Sequence, residues 1–369
     1  MIYFFFAWLL FIVLGVSLMY IQRNPKSDIY KYDSCTRRNA EAVMAFFLWM
    51  GVVLVYVVLA GFRTPNVGSD TQEYIRIFLR IYDNRSFGGG IEAGFVMLNR
   101  IVASFTNNPQ VLLVVCAIFI AVPFVRRIST SSFFIPFSLS MAFAIMINGM
   151  NAKRTVMAIA LVFFCMEYAK KTKWVICFVI IAFAVLFHIS ALIFIPVFWL
   201  CGRHYKGQVY ILFAISMILI SFIYAPIFTF VLARFAPVYL HHIHLHHAIT
   251  DFSIVQAIMC SIYVFLCYVN RKRILEHDPS NVLYINLTFL FFVLTLFGTW
   301  IPFWNRFSMY FQSFMILIIP VLVNAEQSSQ NRFIYYSVIW AMTFIFSIGL
   351  AFLSPGGTMF YNYGNVLFN

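Results

Sequence analysis

Charged residues make up only 10% of this 369-residue chain, and acids contribute just 12 of them. Soluble domains carry about 25% charge and about 45–50% apolar residues, so a water-soluble enzyme, a disordered chain and a nucleic-acid binder are excluded as classes. Also missing are a Walker loop, a dinucleotide fingerprint and a nucleophile elbow, and no cofactor is expected. The first 21 residues lack a basic n-region and a small-residue cleavage site, so they read as an anchor rather than a removable signal. No linker, low-complexity tract or internal repeat divides the chain, which reads as one integral membrane domain over 1–369. What is abundant is apolar surface: 63% of residues are hydrophobic, with 45 Phe, 20 Tyr and 7 Trp. Such aromatic richness is expected where rings face lipid and crowd the interfaces. The composition predicts an all-α polytopic membrane protein.

Apolar runs of roughly 17–25 residues mark spans. They fall near 2 to 21, 41 to 60, 110 to 125, 131 to 147, 153 to 168, 208 to 231, 252 to 269, 282 to 301, 305 to 323 and 333 to 352. Trp174 to Leu200 is too long for one straight helix and holds His188-Ile189-Ser190 at its centre; it reads as two short spans joined near His188, which makes about twelve. Cytoplasmic loops collect Lys and Arg. With both termini outside, the inner connections 22 to 40, 126 to 130, 169 to 173, 201 to 207, 270 to 281 and 324 to 332 hold 16 of the 25 basic residues. A single span over Trp174 to Leu200 would move the Arg271-Lys272-Arg273 run outside, so twelve spans fit the charge better. None of the seven Cys falls in an outer loop, which argues against a disulfide framework or a Cys metal site.

In this topology 61–109 is a long external loop, and its apolar stretch Ile91 to Phe105, which carries Glu92, Asn99 and Arg100, reads as a re-entrant or interfacial helix. A second external loop, 234–251, holds the run His241-His242-Ile243-His244-Leu245-His246-His247 and reads as a solvated or headgroup-contacting segment, with no metal site predicted. Eight of the nine external basic residues are Arg, whose planar fork suits bidentate phosphate binding. Arg63, Arg154 and Arg306 sit at span edges among polar neighbours; the plain alternative is interfacial anchoring by snorkelling. The external acids are Asp70, Glu73, Asp83, Glu92 and Asp251. Asp70 stands where a helix cap before Thr71 would, and Glu92 lies at membrane depth, where an acid is usually paired or functional. His188 reads either as a structural hydrogen-bonder or as a base or phosphate contact. An external site with several Arg, one or two acids and a His suits glycosyl transfer from a lipid diphosphate with no obligatory metal.

At this point the sequence resembles the EpsG-like branch of the Wzy-type bacterial polysaccharide polymerases. The features that carry the likeness are Phe62-Arg63, then Gly68-Ser69-Asp70-Thr71 with Tyr74, then Glu92-Ala93-Gly94-Phe95 with Leu98-Asn99. Further on come Asn151 with Arg154 and Ala158, the turn Phe187-His188-Ile189-Ser190-Ala191-Leu192, and Asn305-Arg306. They keep the family's order across almost the whole chain, whereas the tail Tyr361-Asn362-Tyr363 adds no weight. The resemblance implies a GT-C-like, multi-pass enzyme of the bacterial plasma (inner) membrane, active on the external or periplasmic face. It would join oligosaccharide repeat units carried on undecaprenyl diphosphate, as in O-antigen, capsule or exopolysaccharide synthesis. Arg63, Arg154 and Arg306 would bind the diphosphates, and Asp70 or Glu92 would be the base. His188 would be a substrate contact or an alternative base, with Asn151, Asn305 and Tyr74 as further contacts. The implied partners are membrane lipid, a flippase and a chain-length regulator.

Three rival readings remain. A lipid-linked oligosaccharide flippase or transporter would also use many spans and a basic cavity, but such folds show two related halves, and the 61–109 segment has no counterpart in the second half. A membrane acyltransferase would place its His toward a cytosolic donor, whereas His188 is external here. An O-antigen ligase shares the same chemistry.

Overall fold

The computed structural model describes residues 2–23, 34–86, 90–217, 219, 234, 254–297, 304–344 and 363–367. Among the described residues every regular element is a helix, and the one pairing outside helices is an isolated bridge between Arg63 and Asn365. The physical cause is the solvent: in lipid each N–H and C=O must be satisfied within its own segment, and a helix does this.

The chain forms two compact units. The first comprises Met1–Tyr168, Lys173–Ile195 and Thr343–Asn369; the second comprises Ala169–Thr172 and Pro196–Met342. In chain order the helices begin with α1 (Ile2–Arg23), α2 (Ser34–Tyr56), α3 (Thr71–Tyr82), α4 (Ala93–Ala103), α5 (Pro109–Ser131), α6 (Ile135–Ile147), α7 (Lys153–Lys170) and α8 (Trp174–Val185). They continue with α9 (Phe194–Cys201), α10 (Gly207–Met217), α11 (Ile254–His277), α12 (Val282–Phe297), α13 (Trp304–Asn324) and α14 (Ser329–Phe344). Among the described residues five stretches are long and apolar enough to cross a bilayer: Ile2–Ile21, Ala40–Gly61, Pro109–Ser131, Pro279–Leu296 and Arg306–Asn324. These establish a membrane protein.

The core of the first unit is α6, in which every residue is buried. A helix that is apolar all round belongs in an interior, and α6 packs against α1 and α5. Its polar atoms are paired: Trp8 Nε1 donates to Ser140 Oγ at 2.8 Å, and Tyr56 OH donates to the Met146 carbonyl at 2.7 Å. On α1 and α2, by contrast, Phe5, Phe6, Phe46 and Phe47 are exposed, as expected of faces turned to lipid. In the second unit α11, α12 and α13 pack on one another.

Several boundaries differ from the sequence reading. The expected connections 126 to 130 and 270 to 281 are largely helical, because α5 runs to Ser131 and α11 to His277. Lys and Arg are good helix formers whose long stems let the charge reach the interface, so a basic run need not end a helix. The run Trp174 to Leu200 does break at its centre: α8 stops at Val185, a 3-10 turn covers Ile189–Ile193, and α9 follows. Helix α4, within the expected re-entrant or interfacial segment, has 11 residues. At 1.5 Å per residue that is about 16 Å, short of a hydrocarbon core of about 30 Å.

Candidate functional site

The end of α2 is where the first unit departs from regular geometry. Val57–Gly61 is a π-helical turn, and such turns leave carbonyls without their usual i+4 partners. Four of them meet a side chain. Asn365 Nδ2 donates to the Val58 carbonyl at 2.8 Å and Tyr363 OH to the Leu59 carbonyl at 2.7 Å. Arg63 Nη1 takes the Ala60 carbonyl, and Gln110 Nε2 takes that of Gly61. The tail is stitched alongside by Thr64 N–H to the Gly364 carbonyl at 2.9 Å and Val366 N–H to the Phe62 carbonyl at 2.8 Å.

Arg63 is 1% exposed. Its Nε donates to the Val67 carbonyl and to Thr71 Oγ1, both at 3.2 Å, while Nη2 reaches Thr71 Oγ1 and the Met150 carbonyl, both at 3.0 Å. Burial lowers its pKa from the usual arginine value. All three guanidinium nitrogens thus hold the protein's own oxygens, so this Arg fixes the loop that follows it.

That loop docks on the turn between α6 and α7. Gly68 has φ +90°, and a Cβ there would lie 2.8 Å from Asn151 Oδ1 and 2.9 Å from the Met150 carbonyl. Only glycine suits both the positive φ and the close approach. The next residue's N–H donates to Asn151 Oδ1 at 2.9 Å, and Ser69 Oγ donates to Asp70 Oδ1 at 2.9 Å. Asp70 occupies the N-cap position of α3, but its side chain makes no cap hydrogen bond and is exposed. One turn on, Tyr74 is buried; its OH donates to the Asn151 carbonyl at 3.2 Å, and its ring meets Phe95 edge-on at 5.5 Å. Burial, reinforced by the Asp70 charge and opposed by Arg154, pushes the Tyr74 hydroxyl up to about 12.

Arg154 and Glu92 form a half-buried ion pair through Nη1, which also lies 3.4 Å from the Gly90 carbonyl. Glu92 is the extended residue before α4 and leaves the cap position unused. Helix α4 abuts the α8 turn: Gly94 N–H donates to the Leu186 carbonyl at 2.8 Å, and a Cβ on Gly94 would sit 2.7 Å from that oxygen. Two residues further, His188 Nδ1 lies 3.3 Å from the Ser190 N–H and 2.7 Å from Ser190 Oγ, capping the 3-10 turn. Accepting from the amide makes Nδ1 the unprotonated nitrogen, so neutral His188 carries its proton on Nε2 and is a donor there.

The structure therefore brings Asp70, Tyr74, Asn151, Arg154 and Glu92 to one turn, with Arg63 beneath the loop and His188 one backbone link away. Arg306 lies exposed in the first turn of α13, with Asn305 in the same turn, in the second unit. The His241–His247 run falls outside the described residues. Among the described residues no group of three His, Cys, Asp or Glu could hold a metal ion. Sequence reasoning gave no role to Tyr363, Asn365, Gln110 or Lys153. A family model described as the EpsG family matches residues 46–365. Comparison with curated proteins and with solved structures gave no match.

Proposed function

We propose that this chain, which belongs to the EpsG family, is a membrane glycosyltransferase of polysaccharide biosynthesis. It joins oligosaccharide repeat units carried on undecaprenyl diphosphate, at the outer face of the bacterial plasma membrane. The observation that carries the reading is the cluster in which an exposed carboxylate, Asp70, and an arginine, Arg154, both act on Tyr74 beside the Asn151 turn.

In this reading Asp70 takes the proton of the attacking sugar hydroxyl. The hydroxyl oxygen bonds to C1 of the donor sugar as the C1–O bond to the lipid diphosphate breaks, and the diphosphate leaves with both electrons. Arg154 stabilises that leaving charge with the donors that Glu92 does not occupy. Glu92 orients the arginine, which leaves Asp70 the better base. His188 caps its turn through Nδ1, and its part as a substrate contact rests on the resemblance. Arg63 serves by positioning the 64–71 loop. Assignment of Arg306 and Asn305 to diphosphate and substrate rests on the resemblance alone.

The finer topology is proposed with it: about twelve spans in a GT-C-like arrangement, the 61–109 segment outside, and a flippase and chain-length regulator as working partners. The concentration of basic residues on the connections assigned to the inside supports this orientation. No metal is required in this scheme, since arginine supplies the charge, and polymerisation is expected to proceed in EDTA. The roles separate kinetically. Asp70→Asn is expected to lower kcat by about 10²–10⁴, the usual share of a general base, with KM little changed. Glu92→Gln is expected to act mainly on KM for the lipid diphosphate. Equal kcat losses in the two variants would reverse the choice of base.

A further inference from the structure

Lys153 precedes Arg154 at the start of α7, yet it is only 1% exposed, and its Nζ makes no hydrogen bond among the described residues. Among the described residues, the π face of Tyr74 lies against it, with the ring centroid 4.9 Å from Nζ. The titratable groups that face it are the Arg63 guanidinium and the buried Cys116 thiol, with no carboxylate among them. A buried ammonium with no acceptor is costly, a second buried cation nearby adds repulsion, and a ring face offsets only part of this. In membrane proteins such a group is usually functional. The Tyr74 ring has Lys153 on its face, while its hydroxyl is tied to the Asn151 carbonyl at 3.2 Å beside Arg154. Tyr74 thus touches both a buried lysine without an acceptor and the Asn151 turn of the site.

We propose that Lys153 is a second diphosphate-binding group of this site, screened by the Tyr74 ring, and that an incoming lipid diphosphate moves the ring aside to reach it. The inference rests on the glycosyltransferase reading, which supplies the diphosphate. It assigns the leaving group two adjacent cations, Arg154 at the surface and Lys153 behind, and reserves the second for a ligand able to displace the ring.

The test is calorimetric titration of the purified full chain in detergent with three probes: farnesyl diphosphate, inorganic pyrophosphate and phosphatidylglycerol micelles. Melting temperature is measured in parallel. Lys153→Met is expected to melt higher than wild type without probe, because an unpaired buried charge is gone, and to bind both diphosphates about thirtyfold more weakly. Lys153→Gln serves as a second variant with the same expected loss. Tyr74→Phe, freed from the Asn151 carbonyl, is expected to bind pyrophosphate more tightly than wild type; unchanged affinity would remove ring displacement from the account. Wild-type affinity in Lys153→Met, alongside a loss in Arg154→Lys, would overturn the Lys153 role and leave the wider reading standing. No diphosphate binding by wild type would overturn both. A Lys153-dependent response to phosphatidylglycerol but not to the diphosphates would make the ligand a headgroup instead.

Discussion

Arg63 shows how packing bears on what a side chain can do. It is buried and donates to four protein oxygens, so in the proposed reading it sets the loop that leads to Asp70 instead of holding a diphosphate. Arg63→Lys keeps the charge and loses the fork, leaving buried carbonyls without donors. At roughly 1–3 kcal/mol for each unmet group, the variant is expected to unfold at a clearly lower temperature in detergent. Its activity should fall with the amount of folded protein, not with affinity for the lipid diphosphate. Arg154→Lys should do the opposite, with normal membrane abundance and impaired catalysis; full activity there would reduce Arg154 to an anchor. At Gly94 a methyl group would press on the Leu186 carbonyl, and overpacking of this kind costs about 1–3 kcal/mol. Gly94→Ala is therefore expected to lower the melting temperature and, by shifting Glu92, to raise KM for the lipid diphosphate, as a thermal scan and a product assay at varied substrate would show.

At the scale of elements, the informative piece is the π-turn at Val57–Gly61 and the tail that serves it. No hydrophobic pattern announces a π-turn, since the run from 41 to 60 reads as an ordinary span, and nothing in the tail's sequence says that Tyr363 and Asn365 reach carbonyls three hundred residues earlier. These long-range hydrogen bonds were invisible because periodicity reports only local structure. The tail should consequently be needed for activity although it lies far from Asp70 and Arg154 in sequence. Tyr363→Phe, which deletes the hydroxyl that meets the Leu59 carbonyl, is expected to cost about 1–2 kcal/mol, read as a fall in melting temperature. Removal of residues 363–369 should cost more stability than the single variant. The break at His188 and the short α4 were legible: a 27-residue apolar run with His-Ile-Ser at its centre cannot be one straight helix, and Glu92, Asn99 and Arg100 mark a segment unsuited to lipid on all sides.

For the whole molecule, composition alone fixed the class, because a chain 63% hydrophobic and 10% charged has no soluble alternative. The helix boundaries were less legible, as basic runs such as Arg271-Lys272-Arg273 continue helices instead of ending them. The proposed orientation makes a direct prediction: a Cys at Ser69 should be labelled by an impermeant thiol reagent added to intact cells or spheroplasts, while one at Lys171 should not. The reversed pattern would place the site on the wrong side for externally displayed substrates. The central claim is that the cluster around Asp70 and Arg154 joins lipid-diphosphate-linked repeat units, and one assay addresses it most directly. Purified protein in detergent with EDTA is given a lipid-diphosphate-linked repeat unit from its own host, and the products are resolved by length. A ladder of lengthening glycans from wild type, absent with Asp70→Asn of normal folding, is the predicted result. Folded wild-type protein that forms no ladder, yet moves the lipid-linked unit across sealed vesicles, would contradict it and identify a transporter.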